Sequence, residues 1–416
     1  MAFTFNLYSS LLLPFFLQGM VVGVVMLVRR HREEEAADGW LALLLLLHAV
    51  RLAQWMLGFA GWYDAHDATT TFMFYFPFRN WLAVGPAFYF YFRSLTNQEF
   101  QFSRQAARHF VPALVYLGWK LFVFGMDVGW LHGVQDQSLP CHFNTKGALA
   151  CQASAAAVDD WVTLLGYLSV AAYAWLTLRE YRAYSLYLNN NFSDTEQMRF
   201  RWLRDVLMAE LIGTAVTLGF HLVDALITPL SYYQVWYDYL FTGLLIYYFS
   251  IAGLLTNHRL RALQFQPAPP VAFSVAAEAL AAPTPAANAA LPAEANQPTQ
   301  VPEPELLRWT ERLKQHMATS RPYLAPELTL GELAAQLQTN PSWLSRVINT
   351  GCGQNFNDYI NEYRVREAER RLRDPQFRRY TLLAIALESG FNSKSTFNRV
   401  FRKLRGATPS EVARQP

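Results

Sequence analysis

Hydrophobic positions in this chain follow two regimes. From residue 7 to residue 255 they form long, nearly unbroken runs, whereas beyond residue 305 they recur every three or four positions among polar residues. Seven runs can be marked in the first regime: 7–28, 40–62, 72–92, 110–131, 161–178, 206–228 and 232–255. At about 1.5 Å per residue each can cross roughly 30 Å of hydrocarbon, so residues 1–263 read as a seven-span transmembrane domain. In the second regime Leu330, Leu333, Ala334 and Leu337 share one helical face. After a break at 338–340, Asn340-Pro341 supplies an N-cap followed by proline at the first helical position. The pattern predicts a helix over 341–350 that buries Leu344, Val347 and Ile348, leaves Ser342, Trp343, Ser345, Arg346 and Asn349 outward, and stops at Gly351. A long amphipathic helix over 356–374 follows, with Tyr359, Ile360, Tyr363, Ala368 and Leu372 inward. The plan then repeats: Thr381 caps a short apolar helix, Gly390 makes the turn, and Ser393 caps a helix over 393–405. There Phe397, Val400 and Phe401 point inward and Lys394, Ser395, Thr396, Asn398, Arg399 and Arg402 outward. Gly406 ends that helix, and Thr408 to Glu411 forms a capping box for a last one. The expected fold is all-α, a seven-helix bundle followed by two helix-turn-helix units joined by a long helix.

Composition separates the regimes. The 416 residues are 52% hydrophobic and 15% aromatic with only 16% charged, too apolar for one soluble fold and enough for about two or three domains. Residues 264–304 are rich in Ala, Pro, Asn, Gln and Thr and read as a flexible linker. Its reach of ~35 Å comes without stiffness, so a rigid piston into the terminal domain is disfavoured. The overall charge of +3 hides a division: residues 1–304 hold 17 Lys+Arg against 21 Asp+Glu, whereas residues 305–416 hold 18 against 11. A basic terminal domain suits a polyanion, nucleic acid or anionic lipid.

Short loops set the orientation. Arg29, Arg30 and Arg32 follow the first run, Arg93, Arg104 and Arg108 the third, and Arg179, Arg182, Arg199, Arg201 and Arg204 the fifth, against Lys146 alone on the other side. The positive-inside bias then puts the N-terminus outside and the basic domain in the cytoplasm, across a bacterial inner membrane. The first run lacks a basic n-region and reads as an uncleaved span. Cys141 and Cys151 fall in the long outer loop, where either a disulfide or two free thiols would be compatible with the spacing. No CxxC or HxxxH spacing occurs, so neither metal nor cofactor is expected.

The stretches "PYLAPELTLGELAAQL", "NFNDYINEYRVREAERRL" and "IALESGFNSKSTFNRVFRKLRGATPSE" resemble, in order and spacing, the AraC/XylS-type DNA-binding domain. The resemblance covers about 323–413, roughly a fifth of the chain, and the preceding spans look like membrane-bound members of that family. Two departures stand out: "PSEVAR" where the family usually has an aromatic residue and Arg after Glu, and Ile348-Asn349 where Phe-Lys is common. The resemblance implies that both reader helices enter the major groove of double-stranded DNA at segments about one turn (~34 Å) apart, from one chain. Carried over by position, Ser342, Trp343, Ser345 and Arg346 in the first unit and Lys394, Ser395, Asn398 and Arg399 in the second would read bases. Arg402 and Asn349 would touch phosphate, with Thr396 beside them, and a plain solvated helix face is the alternative for each.

Titratable residues inside the runs mark either a site or bundle-holding pairs. Arg79, His221 and Asp238 lie about six or seven residues, roughly 10 Å, from the outer ends, with Asp127 and Asp224 shallower. One expectation is a pocket of Arg79, His221, Asp224 and Asp238 that receives an outside signal. The other is that Arg79 pairs with Asp238 or Asp224, as Arg51 and Lys120 would pair in their own spans. An enzyme is not expected, for no phosphate loop, nucleophile elbow, HExxH or kinase pattern appears. A transporter would show an internal repeat, and a retinal pigment a lysine in 232–255; neither is present. The expected function is a membrane-anchored transcription regulator sensing an outside or membrane signal, acting through homodimerisation. Its rival is a ligandless anchor controlled by proteolysis of the linker or by abundance.

Overall fold

The computed structural model describes residues 6–33, 36–78, 80–97, 100–195, 201–255 and 303–414. The linker expected at 264–304, except its last two residues, and Arg79 and Arg199 lie outside them. The regular structure of the described residues is helical, apart from two isolated bridges, Cys141 to Lys146 and Phe192 to Thr329. They form two compact units, one up to Tyr181 with the described residues 201–255, the other containing Arg182 to Thr195 and 303–414.

In the first unit, α1 (Leu7–Glu33) lies against α2 (Ala36–Phe59), and both pack on α10 (Tyr232–Leu255). Next come α3 (Ala68–Tyr75), α4 (Trp81–Thr96), the single turn α5 (Arg104–Ala107), and α6 (Val111–Phe124), which continues as a π-helical segment, Gly125–His132. Then α7 (Ala148–Ala155) precedes the long α8 (Val158–Asn191), and α9 (Arg201–Leu226) packs on α10. Among the described residues six helices are long and apolar enough to cross a membrane: Leu7–Arg32, Ala36–Phe59, Arg104–His132, Val158–Asn191, Arg204–Asp224 and Tyr232–Leu255. The expected third span, 72–92, is instead two helices. Pro77 explains the break: it lacks an N–H and drives the preceding residue out of the helical region, and Phe76 is extended at φ −68°, ψ 131°. Leu11, Leu17, Val21, Val24 and Val28 on α1 are exposed, an apolar face that suits lipid better than water.

In the second unit α11 (Glu303–Ser320) places Leu313 and Met317 in the core, with Leu306 and Trp309 half-buried against it. After it come α12 (Leu330–Gln336), α13 (Pro341–Arg346) with a π-helical turn Val347–Gly351, α14 (Phe356–Arg373), α15 (Leu382–Glu388), α16 (Lys394–Arg405) and α17 (Pro409–Arg414). There are two cores. Phe356, Tyr359 and Ile360 at the start of α14 join Leu330, Leu333, Leu344, Val347 and Ile348, while Val365 and Ala368 further along join Ile385, Phe391, Phe397, Val400 and Phe401. One helix thus supplies an apolar face to each helix-turn-helix unit.

Candidate nucleic-acid interface

Each reader helix starts at a side-chain cap. The Asn340 carboxamide accepts the Trp343 N–H at 2.7 Å and the Ser393 hydroxyl accepts the Thr396 N–H at 3.2 Å, so donors left open by the helix start are satisfied. The preceding helices are capped likewise. Thr329 and Glu332 form a full capping box on α12, Thr381 caps α15, and Thr408 and Glu411 exchange bonds before α17. Gly390 turns the second unit at φ +90°, where a Cβ would lie 2.3 Å from the Tyr323 carbonyl oxygen; only glycine fits.

The outward faces carry most of the expected residues. Ser342, Arg346 and Asn349 are exposed on the first reader, with Asn349 donating to the Ser345 hydroxyl at 3.2 Å; Lys394, Ser395, Asn398, Arg399 and Arg402 are exposed on the second. Three positions differ from a fully outward expectation. Thr396 is buried at 7% exposure, its hydroxyl accepting from Ser393, because it stands one turn from the cap and beside Phe397. Trp343 is half-buried, edge-on to Trp309 with ring centres 6.4 Å apart, and Ser345 is half-buried as well. The first reader is α-helical only to Arg346 before its π-helical turn.

Charge is distributed unevenly between front and back. Arg346, Lys394 and Arg402 are exposed and make no ion pair among the described residues, leaving them available to an anion. Behind the second reader, by contrast, Arg405 bonds to Glu369 at 2.8 Å and approaches Glu362 at 3.3 Å, and Lys403 bonds to Asp358 at 2.8 Å. Within α14, Glu367 accepts from Arg370 and Arg371, each at 2.7 Å. Those bonds, Arg370 first, hold its carboxyl down at about 2 against the opposing effect of burial. The ion pairs of this domain thus gather on α14 and the back of α16, whereas Arg346, Lys394 and Arg402 face outward without one among the described residues.

Residues 333–415 match the family of helix-turn-helix domains, a stretch that runs from within α12 to the end of α17 and holds both readers. Over 89 residues, 21% of this chain, the sequence is 33% identical to an uncharacterized HTH-type transcriptional regulator, YtdP, of Bacillus subtilis (strain 168). The C-terminal domain is an AraC-type helix-turn-helix domain. The matched stretch is 11% of YtdP, so the chain spans about a tenth of that relative's length. No solved structure matches the chain.

In the first unit three of the four expected pocket residues, His221, Asp224 and Asp238, are among the described residues. Asp238 is buried and bonds to Arg51 at 2.6 Å and to the Thr217 hydroxyl; Arg51 also reaches Thr242, between the faces of Trp81 and Tyr239 at 4.6 and 4.7 Å. The expected partner, Arg79, is outside the described residues. His221 lies against the Tyr167 ring at 5.9 Å, and Asp224 accepts the Leu230 N–H at 2.7 Å. Asp127 is buried, accepting from Tyr75 and from the Leu149 and Ala150 N–H groups at the start of α7. Cys141 and Cys151 are disulfide-bonded. A cavity of about 280 Å³ opens elsewhere, lined by Tyr75, Tyr116, Lys120, Lys146, Ser154 and Asp159 among others. Lys120 bonds to Asp159 at 2.7 Å, and Lys146 bonds to the Ser154 hydroxyl and lies over the Phe74 ring face. Burial and the nearby Lys120 charge push the Lys146 ammonium down.

Sequence reading missed α11, although Leu306, Trp309, Leu313 and Met317 are spaced for one helical face. It also missed Arg364, a buried guanidinium at 1% exposure, which nothing in the pattern of α14 distinguishes from its charged neighbours.

Proposed function

We propose that this protein is a membrane-anchored, sequence-specific transcription regulator that reads two adjacent major-groove segments of double-stranded DNA. The observation that carries this is the pair of capped reader helices on one shared helix, with Arg346, Lys394 and Arg402 on their outward faces and without an ion pair among the described residues. Arg346, Arg399, Lys394, Asn398, Ser342 and Ser395 are assigned to base edges, Arg402 and Asn349 to phosphate. Trp343 and Ser345 contribute from the half-buried rim. The six apolar helices, with α3 and α4 as one broken crossing, give seven passes, N-terminus outside and the reader in the cytoplasm of a bacterial cell. Broken helices cross membranes where protein shields the freed backbone, and α4 is almost wholly buried.

The membrane unit serves as the sensor, and the cavity at Lys146 is the place for the signal. The half-buried Lys146 ammonium, set against the Phe74 ring face in a cavity that Asp159 also lines, can take the anionic group of a small organic ligand. Asp238, first expected in a signal pocket with Arg79, His221 and Asp224, bonds to Arg51 and ties α10 to α2. Such a ligand must favour one bundle state over another, and homodimerisation of two tethered readers raises their effective concentration on paired sites.

Selection of genomic fragments by the full-length protein in lipid nanodiscs, at fixed moderate salt, tests the reading. Two recurring segments about one turn (~34 Å) apart are expected; binding that is salt-sensitive yet blind to sequence would sink it.

A further inference from the structure

Phe192 to Thr195, the four residues that follow α8 in the chain, lie in the same compact unit as the helix-turn-helix domain, with Ser193 and Thr195 buried and Phe192 and Asp194 half-buried. Of their sequence, Phe-Ser-Asp-Thr, the two hydroxyl residues are the most buried, Ser193 at 2% and Thr195 at 4% exposure. Main-chain bonding explains it. Phe192 forms an antiparallel bridge with Thr329, and the Ser193 N–H donates to the Leu328 carbonyl at 3.1 Å. Asn357 of α14 donates to the carbonyls of Phe192 and Ser193 at 3.2 and 2.8 Å. The segment is held from both sides, as a strand is in a sheet.

Arg364 is the centre of this contact. Its guanidinium donates to the carbonyls of Tyr323, Ala325 and Pro326 at 2.8, 2.7 and 3.1 Å, and to the Ser193 hydroxyl at 3.0 Å. It makes no ion pair among the described residues, so a fully buried cation rests on carbonyl dipoles. Burial pulls it down to about 10, and the carboxylate of Asp194 is the charge that opposes this. Asp194 also accepts from Asn392 at 2.8 Å. Asn392 immediately precedes Ser393, the cap of the second reader, where helix N–H groups point outward and a DNA phosphate would be attracted.

We propose that residues 192–195 are an autoinhibitory latch, which docks on α14 through Arg364 and Asn357 and sets the Asp194 carboxylate against the amino end of the second reader. DNA then gains its full grip only when the segment undocks. The inference rests on α16 being a DNA reader. It also supplies a path for a signal that does not run through the linker, because Phe192 directly follows the last residue of α8.

The test uses the full-length protein in phosphatidylcholine nanodiscs, with Cys352→Ser and a labelled random-sequence 30-base-pair duplex (about three helical turns) as probe. Phe192→Cys with Thr329→Cys should form a disulfide under mild oxidation and bind the duplex about tenfold more weakly than Thr329→Cys alone treated identically. In otherwise native protein, Ser193→Pro, which removes the N–H bond and the hydroxyl, should bind several-fold more tightly, and Asp194→Asn should fall between it and wild type. Both substitutions lie outside the helices of the DNA-binding domain. Absence of the disulfide would overturn the docking, and a disulfide without loss of affinity would overturn the competition. Failure of every protein to bind DNA, Ser193→Pro included, would instead remove the reader assignment and with it the latch.

Discussion

The two helix-turn-helix units share a plan and a helix but are supported differently. The first packs its reader on a broad apolar core to which α11 adds Leu313 and Met317, and its reader α-helix lasts only from Pro341 to Arg346. In the second, a twelve-residue reader leans on three phenylalanines, Phe391, Phe397 and Phe401, and is tied to α14 by Arg405 and Lys403. Similar reader geometry can thus be fixed either by added apolar area or by a smaller aromatic core with a charged brace. The first device is insensitive to salt, and the second is weakened by it.

The largest expected effect on this contrast comes from the cores. Phe397→Ala should cost about 3–5 kcal/mol and Leu344→Ala about 2–5 kcal/mol. Hydrogen exchange on the full-length protein should find the amides of α16 losing protection in the first variant while those of α12 keep more of theirs. Equal loss in both units would mean that α14 couples them into one cooperative block. Next, Arg346→Ala and Arg399→Ala should each cost about 1–3 kcal/mol on the selected site and relax sequence preference, whereas Arg402→Ala should weaken all sequences alike and lower the salt slope by about one. Equal losses on selected and random duplexes for Arg346→Ala would remove it from the base-reading set. Removing a cap, by Asn340→Ala or Ser393→Ala, should cost about 1 kcal/mol, read as a shift in denaturation midpoint; a larger cost at Ser393 is expected because its hydroxyl also bonds Thr396.

The smallest effect is acid sensitivity. Glu367 has its carboxyl lowered from 4.5 to about 2, so its contribution is present above the ordinary carboxylate range and fades as pH falls from about 4.5 toward 2. Glu367→Gln should flatten that part of the stability profile, and an unchanged profile would show that its bonds to Arg370 and Arg371 contribute nothing net.

Much of the second unit was legible because short-range chemistry dictates it. Asn340, Thr381, Ser393 and Thr408 all cap helices, Gly390 and Gly406 take positive φ, and Leu344, Val347, Phe397 and Phe401 are buried. Thr396 was misplaced because helical phase alone puts it at the edge of the polar face, and the depth of the Phe397 pocket decides that edge. In the first unit the apolar runs announced the spans, but the break at Pro77 turned the third into two helices. Which ionisable groups meet was not legible at all, since Arg51 finds Asp238 across 187 residues of sequence.

The sequence by itself determined the elements: where apolar runs exceed the thickness of a bilayer, where a cap or glycine begins and ends a helix, and that two readers flank one long amphipathic helix. These depend on neighbours within a turn or two. Only the tertiary structure decided that α14 serves two cores, that Arg364 is buried among carbonyls, and that the four-residue segment after α8 docks against it. Those outcomes depend on hydrogen-bonding groups brought together from distant parts of the chain, for which local periodicity carries no signal.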